Sequence, residues 1–403
     1  MRVRLVGVLS LCLITALSAW TLQEHETAFA SRLSVPDTSS RINAVDLEFA
    51  ASLVEQVAQN SETISFRATK TVILWYPSGT SACISNIMHK APNLTRTEYL
   101  PSSASDCGFR TVISDGNSTW HYEPSLQVVF HMSDSFSLPD NRDISLIKAN
   151  YNISLVTTDN LAGREAYVIK LEPRHPGNPW RIIWVDREYP FILRTEKYRP
   201  DGAMSSVSFY NWIEFFPVLN DSLFELDIPP NVAKVELPVS GDIMPLARLE
   251  EEANFFIPVP EFVPPGYMIE GGILSLYKAF PSAHIRLTDG LNTISYFVSP
   301  KIAGGGRRED NMSETSDLLE MISRERKVPI DGTQAKLGNY QDAKFLRWSR
   351  EGYEFTLVGE VDESILIEVA QSIDVPHIPH RPDQQSFSEY LTRFLYQLFW
   401  IDR

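Results

Sequence analysis

A single change of period constrains this chain more than any other feature. In INAVDLEFAASLVEQVAQN, residues 42–60, Val45, Phe49, Leu53 and Val57 recur at helical spacing, which predicts one amphipathic helix. From Thr63 onward the apolar residues alternate with polar ones instead. ISFRATKTVILWY, ACISNIMH, FRTVISDGNSTWHYEP and LQVVFHM read as successive strands, with Asp115-Gly116-Asn117 as a hairpin turn. DISLIKANYNISLV is a short helical or mixed segment. REAYVIKLEP, RIIWVDREYPFILRTEKYRPDG and SVSFYNWIEFF then return to period two, with Asp201-Gly202 at another tight turn. One helix followed by a long run of strands, without strand–helix alternation, predicts antiparallel pairing and argues against a doubly wound sheet.

Prolines then become frequent, at 229, 230, 238, 245, 258, 260, 264 and 265. Proline cannot donate into a strand ladder, so this stretch is read as connectors. With 403 residues the chain is too long for one ordinary domain. The expected division is a β domain over 40–236, a linker over 237–255, a smaller α+β domain over 256–375 and a tail over 376–403. The second domain contains HIRLTDGLNTISYFVSP, a strand–turn–strand with Asp289-Gly290 at the turn and Ile294, Tyr296 and Val298 on one face. It continues through the loop IAGGGRRED, a helix in SETSDLLEMISRE, the strands AKFLRWSR and YEFTLVGE, and a last helix in DESILIEVAQSI with Asp362 as N-cap. The fold class expected is mostly β within an α+β arrangement.

The amino terminus points to export. Arg2 and Arg4 precede LVGVLSLCLITALSAW, which is shorter than the roughly 20 apolar residues of a membrane span and matches the core of a secretory signal. Residues 1–30 are read as that signal, cleaved after Ala19 or Ala30, or retained as an anchor. Cys12 lies inside the apolar run behind Leu11, where a lipoprotein signal has a small residue, and is assigned to the signal. Cys83 and Cys107 remain, and an even pair in an oxidising compartment points to a disulfide worth about 3 kcal/mol; two buried thiols is the other reading. The tail FSEYLTRFLYQLFWIDR carries an apolar stripe, Phe387, Leu391, Phe394, Leu395, Leu398 and Phe399. It either packs on its own protein or rests on a membrane or partner.

A net charge of −15 argues against nucleic acid, whose phosphates require a basic face. No nucleophile elbow, zinc-protease helix, P-loop or dinucleotide fingerprint occurs, so neither enzyme activity, metal nor cofactor is expected. His377 and His380 in HIPH have prolines on both sides that prevent a helix from bringing their rings together, and they read as a linker. Asp115, Asp201 and Asp289 each precede glycine in a turn, where a carboxylate caps local amides.

Several stretches resemble the RseB/MucB-type sigma-factor regulatory proteins. NYNISLVTTDNLAGREAYVIKLEP resembles their Asn-Tyr entry to an Ala-Gly-Arg turn, and IIWVDREYPFILRTEKYRPDG their Trp-x-Asp strand and return. FELDIPPNVAKVE is similar to the close of the wider LolA-like lipoprotein carriers. LTDGLNTISYFV resembles the family's Ser-Asp-Gly-Leu hairpin with Thr288 for Ser, and LVGEVDESILIEVAQSI its Val-Gly-Glu strand and closing helix. The resemblance runs from about residue 42 to 375, in order; the cysteine pair, the GGGRRED loop and the tail lie outside its pattern.

The resemblance implies a LolA-like open antiparallel β-barrel wrapped round a helix, followed by the smaller α+β domain. It implies an envelope-stress regulator that holds the extracytoplasmic segment of a membrane anti-sigma factor and senses lipid or lipoprotein acyl chains. A lipid or lipoprotein carrier is the alternative. Candidate acyl-lining residues are Trp75, Trp120, Tyr122, Phe130, Trp184, Phe191 and Trp212. Candidate partner contacts are Thr288, Asp289, Gly290 and Tyr296 in the hairpin.

Overall fold

The change of period at Thr63 is where helix gives way to sheet. The computed structural model describes residues 44–60, 63–76, 79–101, 108–133, 144–237, 243–253, 255–275, 281–301, 325–340 and 343–375. The amino-terminal segment with Cys12, Cys107, the GGGRRED loop, the segment SETSDLLEMISR in which a helix is expected, the HIPH pair and the tail lie outside the described residues.

Helix α1 (Ala44–Asn60) leads into a meander of β1 (Phe66–Tyr76), β2 (Gly79–Lys90), β3 (Leu94–Leu100), β4 (Arg110–Ser114), β5 (Ser118–Glu123) and β6 (Val128–Ser133). After α2 (Ile144–Asn150) a second meander follows: β7 (Tyr151–Leu161), β8 (Arg164–Pro173), β9 (Trp180–Asp186), β10 (Ile192–Tyr198) and β11 (Met204–Phe215). Pairing of β1 with β11 joins the two meanders, and β12 (Ala233–Leu237) adds in parallel beside β6. The result is one 12-stranded sheet in the order β12-β6-β5-β4-β3-β2-β1-β11-β10-β9-β8-β7, open at β12 and β7 rather than closed into a barrel.

Side chains alternate between the two faces of this sheet, and α1 covers one of them, hereafter the inner face. Ala50, Leu53, Val54 and Val57 of α1 pack with Ile147 and Tyr151, and with Ile153, Ile169, Leu171, Ile183 and Val185 from β7, β8 and β9. The buried stripe is therefore Ala50-Leu53-Val54-Val57. Phe49, expected on it, is 39% exposed and meets Tyr167 edge-on. Each large aliphatic side chain buried in this way contributes about 1.5–3 kcal/mol.

The second sheet comprises β13 (Met268–Ser275), β14 (Ser282–Thr288), β15 (Thr293–Pro300), β16 (Arg326–Ile330), β17 (Thr333–Tyr340), β18 (Ala343–Arg350) and β19 (Tyr353–Gly359). Its seven strands are antiparallel in the order β13-β14-β15-β19-β18-β17-β16. Helices α3 (Leu246–Glu252) and α4 (Glu363–Gln371) supply Leu249, Leu366, Val369 and Ala370 to one core with Ile285, Tyr296, Val298, Leu346, Phe355 and Leu357. Ile294, Tyr296 and Val298 share that core, as their alternation requires.

Three features differ from the sequence reading. β3 escaped it because Leu94, Tyr99 and Leu100 do not alternate, and β16 and β17 because they hold few apolar residues; Pro329 is tolerated since β16 is an edge. The stretch 237–255 holds a packed helix, not only connector. Met244 bonds in both directions to Gly272, and a Cβ on Gly271 would stand 2.4 Å from the Met244 carbonyl oxygen. Asp362 occupies the N-cap of α4 without a side-chain capping bond; Lys344 lies 3.9 Å from its carboxylate.

Candidate functional site

Register decides which predicted residues can meet a ligand. Along β1, Phe66, Ala68, Lys70, Val72 and Leu74 share the inner phase, and their partners continue it into Tyr210 and Ser208 of β11. Ser208 pairs with Thr195 of β10, which puts Thr195 and Lys197 on the same face. Bulges at Thr69/Lys70 and Ile192/Arg194 reset the alternation on either side.

A cavity of about 400 Å³ opens on this inner face beneath the end of α1. Val57 and Ala58 form its helix wall and Pro190, Phe191 and Ile192 an apolar side, and its polar lining includes Lys70, Arg181, Arg194, Lys197, Ser208 and Tyr210. The Lys70 ammonium lies 5.8 Å from the Tyr210 ring. Burial depresses the Lys70 pKa, and the Lys197 charge depresses it further. Burial also raises that of Tyr210.

Of the seven aromatic candidates, Phe191 lines this cavity. Phe130 pairs with His121 on the inner phase, farther along the sheet. The other five fall on the opposite face. Trp75 follows Thr71 and Ile73 in the outer phase, and Trp120 stacks on His131 at 5.1 Å. Tyr122 pairs with Val129, Trp184 donates through Nε1 to Asp159 Oδ2 at 2.9 Å, and Trp212 is 47% exposed under the Arg67 guanidinium. A two-residue period with bulges cannot be phased from sequence alone, because each bulge reverses the face of the residues beyond it.

The hairpin residues occupy a joint between the two lobes. Asp289 is fully buried. Its Oδ1 accepts from the amides of Leu291 and Asn292 at 2.9 and 2.7 Å, the local turn-capping role expected of it. Its Oδ2 accepts from Tyr151 Oη at 2.6 Å and from Asn292 Nδ2 at 3.1 Å. Asn150 Nδ2 donates to the carbonyls of Gly266 (2.6 Å) and Asp289 (3.0 Å). Arg181 Nη2 donates to the Leu291 carbonyl at 2.6 Å. Burial, then the Asp289 charge, drives the Tyr151 pKa far above its ordinary value.

Gly290, at φ +97°, leaves no room for a side chain against Ile147. Tyr296 is buried, its hydroxyl on the Pro258 carbonyl at 2.7 Å, and Thr288, half-buried, closes the turn on the Asn292 carbonyl. Asp289 and Gly290 thus face the chain's own interior, because the turn inserts against α2 and β7, and Tyr296 does so because it lies in the core of the second lobe.

The sequence reading missed Lys70, Arg181 and Lys197. Lys70 left a legible signal, a cation in the apolar phase of a strand. Arg181 and Lys197 left none, since only pairing across β9, β10 and β11 sets their side. Among the described residues no group of three or more His, Cys, Asp or Glu could hold a metal ion, and no helix is long and apolar enough to cross a membrane.

Comparison with known proteins agrees with this geometry. The two lobes align with MucB in its complex with MucA(peri) at a TM-score of 0.53 and 17% identity, covering 83% of this chain and all of that one. The MucA/MucB complex of Pseudomonas aeruginosa aligns equally, covering 84% of this chain. The fold is MucB-like. A family model described as an uncharacterized protein matches residues 98–214, and a domain of unknown function, DUF4367, matches 257–373. An uncharacterized protein of Methanocaldococcus jannaschii is 22% identical over 278 residues, 65% of this chain and 75% of its own length.

Proposed function

We propose that this chain is an exported regulatory binding protein that holds the extracytoplasmic segment of a membrane anti-sigma factor and admits a lipid or lipoprotein acyl group into its first lobe. The observation that carries this reading is the alignment of both lobes, in order, with the whole of a MucB chain bound to MucA(peri). The signal-like residues 1–30 support export, and a Cys83–Cys107 disulfide belongs to the same reading. In this scheme lipid and partner favour different arrangements of the chain, so each weakens the other's hold.

The acyl group enters beneath α1, against Val57, Phe191 and Ile192, and the outer-face aromatics serve the fold. Since the hairpin turn is covered, the partner segment contacts other surfaces of the second lobe, or reaches the hairpin only when the joint opens. The cavity by itself supports a second reading, a lipid carrier that needs no anti-sigma partner.

Affinity capture of the tagged full-length chain from mild-detergent membranes of its host separates the two. Recovery of a single-span protein with a cytoplasmic sigma-binding domain, in near-equal amount, supports the regulator. Lipid or lipoprotein recovered without such a protein refutes it in favour of the carrier.

A further inference from the structure

We infer that the cavity beneath α1 is a site for a single-chain amphiphile with one compact anionic head, a carboxylate or phosphate monoester, gripped by Lys70, Lys197 and Arg181. The inference rests on the lipid-binding half of the function proposed above and names its ligand class. A chain of net charge −15 places Lys70, Arg181, Arg194 and Lys197 around one cavity, and no carboxylate lines it among the described residues. Arg194 is answered elsewhere, by Glu196 at 2.5 Å and the Trp184 ring at 4.7 Å. Among the described residues no carboxylate pairs with Lys70, and the neighbouring charge that lowers its pKa is Lys197, of its own sign. Like charges sharing a poorly hydrated space oppose each other's ionisation, and an anion between them removes that opposition. Val57, Pro190, Phe191 and Ile192 leave an apolar wall for a chain. The volume, about 400 Å³, sits at the small end of ligand sites, which favours one chain over several.

Two of the three cations also hold the second lobe. Lys197 pairs with Glu360 at 3.3 Å, and Arg181 donates to the Leu291 carbonyl at 2.6 Å and to Asn292 Oδ1 at 3.2 Å. A head group that draws them inward competes with those contacts, so filling the cavity and closing the joint oppose each other.

Titration calorimetry on the full chain, with dodecanoate, dodecyl phosphate, dodecanol and inorganic phosphate as probes, tests this. Both charged amphiphiles should bind at least about tenfold more tightly than dodecanol, as expected for a charge-assisted contact. Lys70→Gln should erase that ratio and Lys70→Arg restore it. Glu360→Gln, which leaves the cavity intact, should tighten dodecanoate binding several-fold by releasing Lys197. Equal affinity for dodecanoate and dodecanol overturns the head-group site while lipid uptake stands. Failure of all three chains to bind overturns lipid uptake too, and capture of the membrane partner measures the regulatory half independently. Inorganic phosphate matching dodecyl phosphate makes the site one for a free anion and overturns the amphiphile. Unchanged affinity in Glu360→Gln refutes the competition with the joint.

Discussion

Replacing Asp289 by alanine removes the acceptor on which the joint converges. Three donors lose their acceptor, the amides of Leu291 and Asn292 and the Tyr151 hydroxyl, while the Asn292 side-chain amide keeps Tyr151 Oη at 2.6 Å. A buried donor without an acceptor costs about 1–3 kcal/mol. Relaxation of the turn recovers part of this, and loss of a desolvated carboxylate offsets some more. The expected net destabilisation is about 3–5 kcal/mol. Urea unfolding of the full chain, followed by tryptophan fluorescence and far-UV circular dichroism, reads it as a fall in midpoint at constant slope. Tyr151→Phe alone should cost about 1–2 kcal/mol, and the double variant should fall short of the sum by about 1–3 kcal/mol. A loss below about 1 kcal/mol for Asp289→Ala, or strict additivity with Tyr151→Phe, would refute a joint built on this carboxylate.

Gly290→Ala sets a Cβ 2.9 Å from both the Ile147 amide nitrogen and its Cγ1 in a left-handed conformation, so it should cost at least about 2 kcal/mol in the same unfolding assay; a neutral effect would mean the turn is free to move away. Lys70→Met should raise the neutral-pH melting temperature. The folded pKa of Lys70 lies below its unfolded one, so wild-type stability should rise as pH climbs from that folded pKa toward 10.5, a rise the variant loses and whose persistence would contradict the assignment. His284 is buried against the Phe297 ring at 4.3 Å, its pKa pushed down to about 3 by burial and then by Arg286. The unfolded chain therefore binds a proton from about pH 6.5 downward that the folded one refuses until about pH 3, and acid should remove up to about 5 kcal/mol over that window, a slope that His284→Phe flattens in urea titrations at several pH values.

The strands were legible where alternation or a run of β-branched and aromatic residues marked them, as in Thr293–Pro300 and Phe66–Tyr76. Leu94–Leu100 was not, because a strand paired on both sides takes its stability from its neighbours and needs no pattern of its own. The Asp289-Gly290 turn was read correctly as a turn and its carboxylate as a cap. Its second use, holding Tyr151 from a residue 138 positions away, has no local signature.

Sequence by itself determined what depends on near neighbours: one leading helix, period-two segments and glycine turns. Each is set within a few residues by backbone sterics and by the alternation of apolar side chains. Tertiary structure alone decided which phase of each strand faces α1, since one bulge shifts every later side chain to the other face. That decision sent Trp75, Trp120, Tyr122, Trp184 and Trp212 outward. It gathered Lys70, Arg181 and Lys197 from three strands around one cavity, because pairing between distant segments, not local pattern, fixes which side chains share a face.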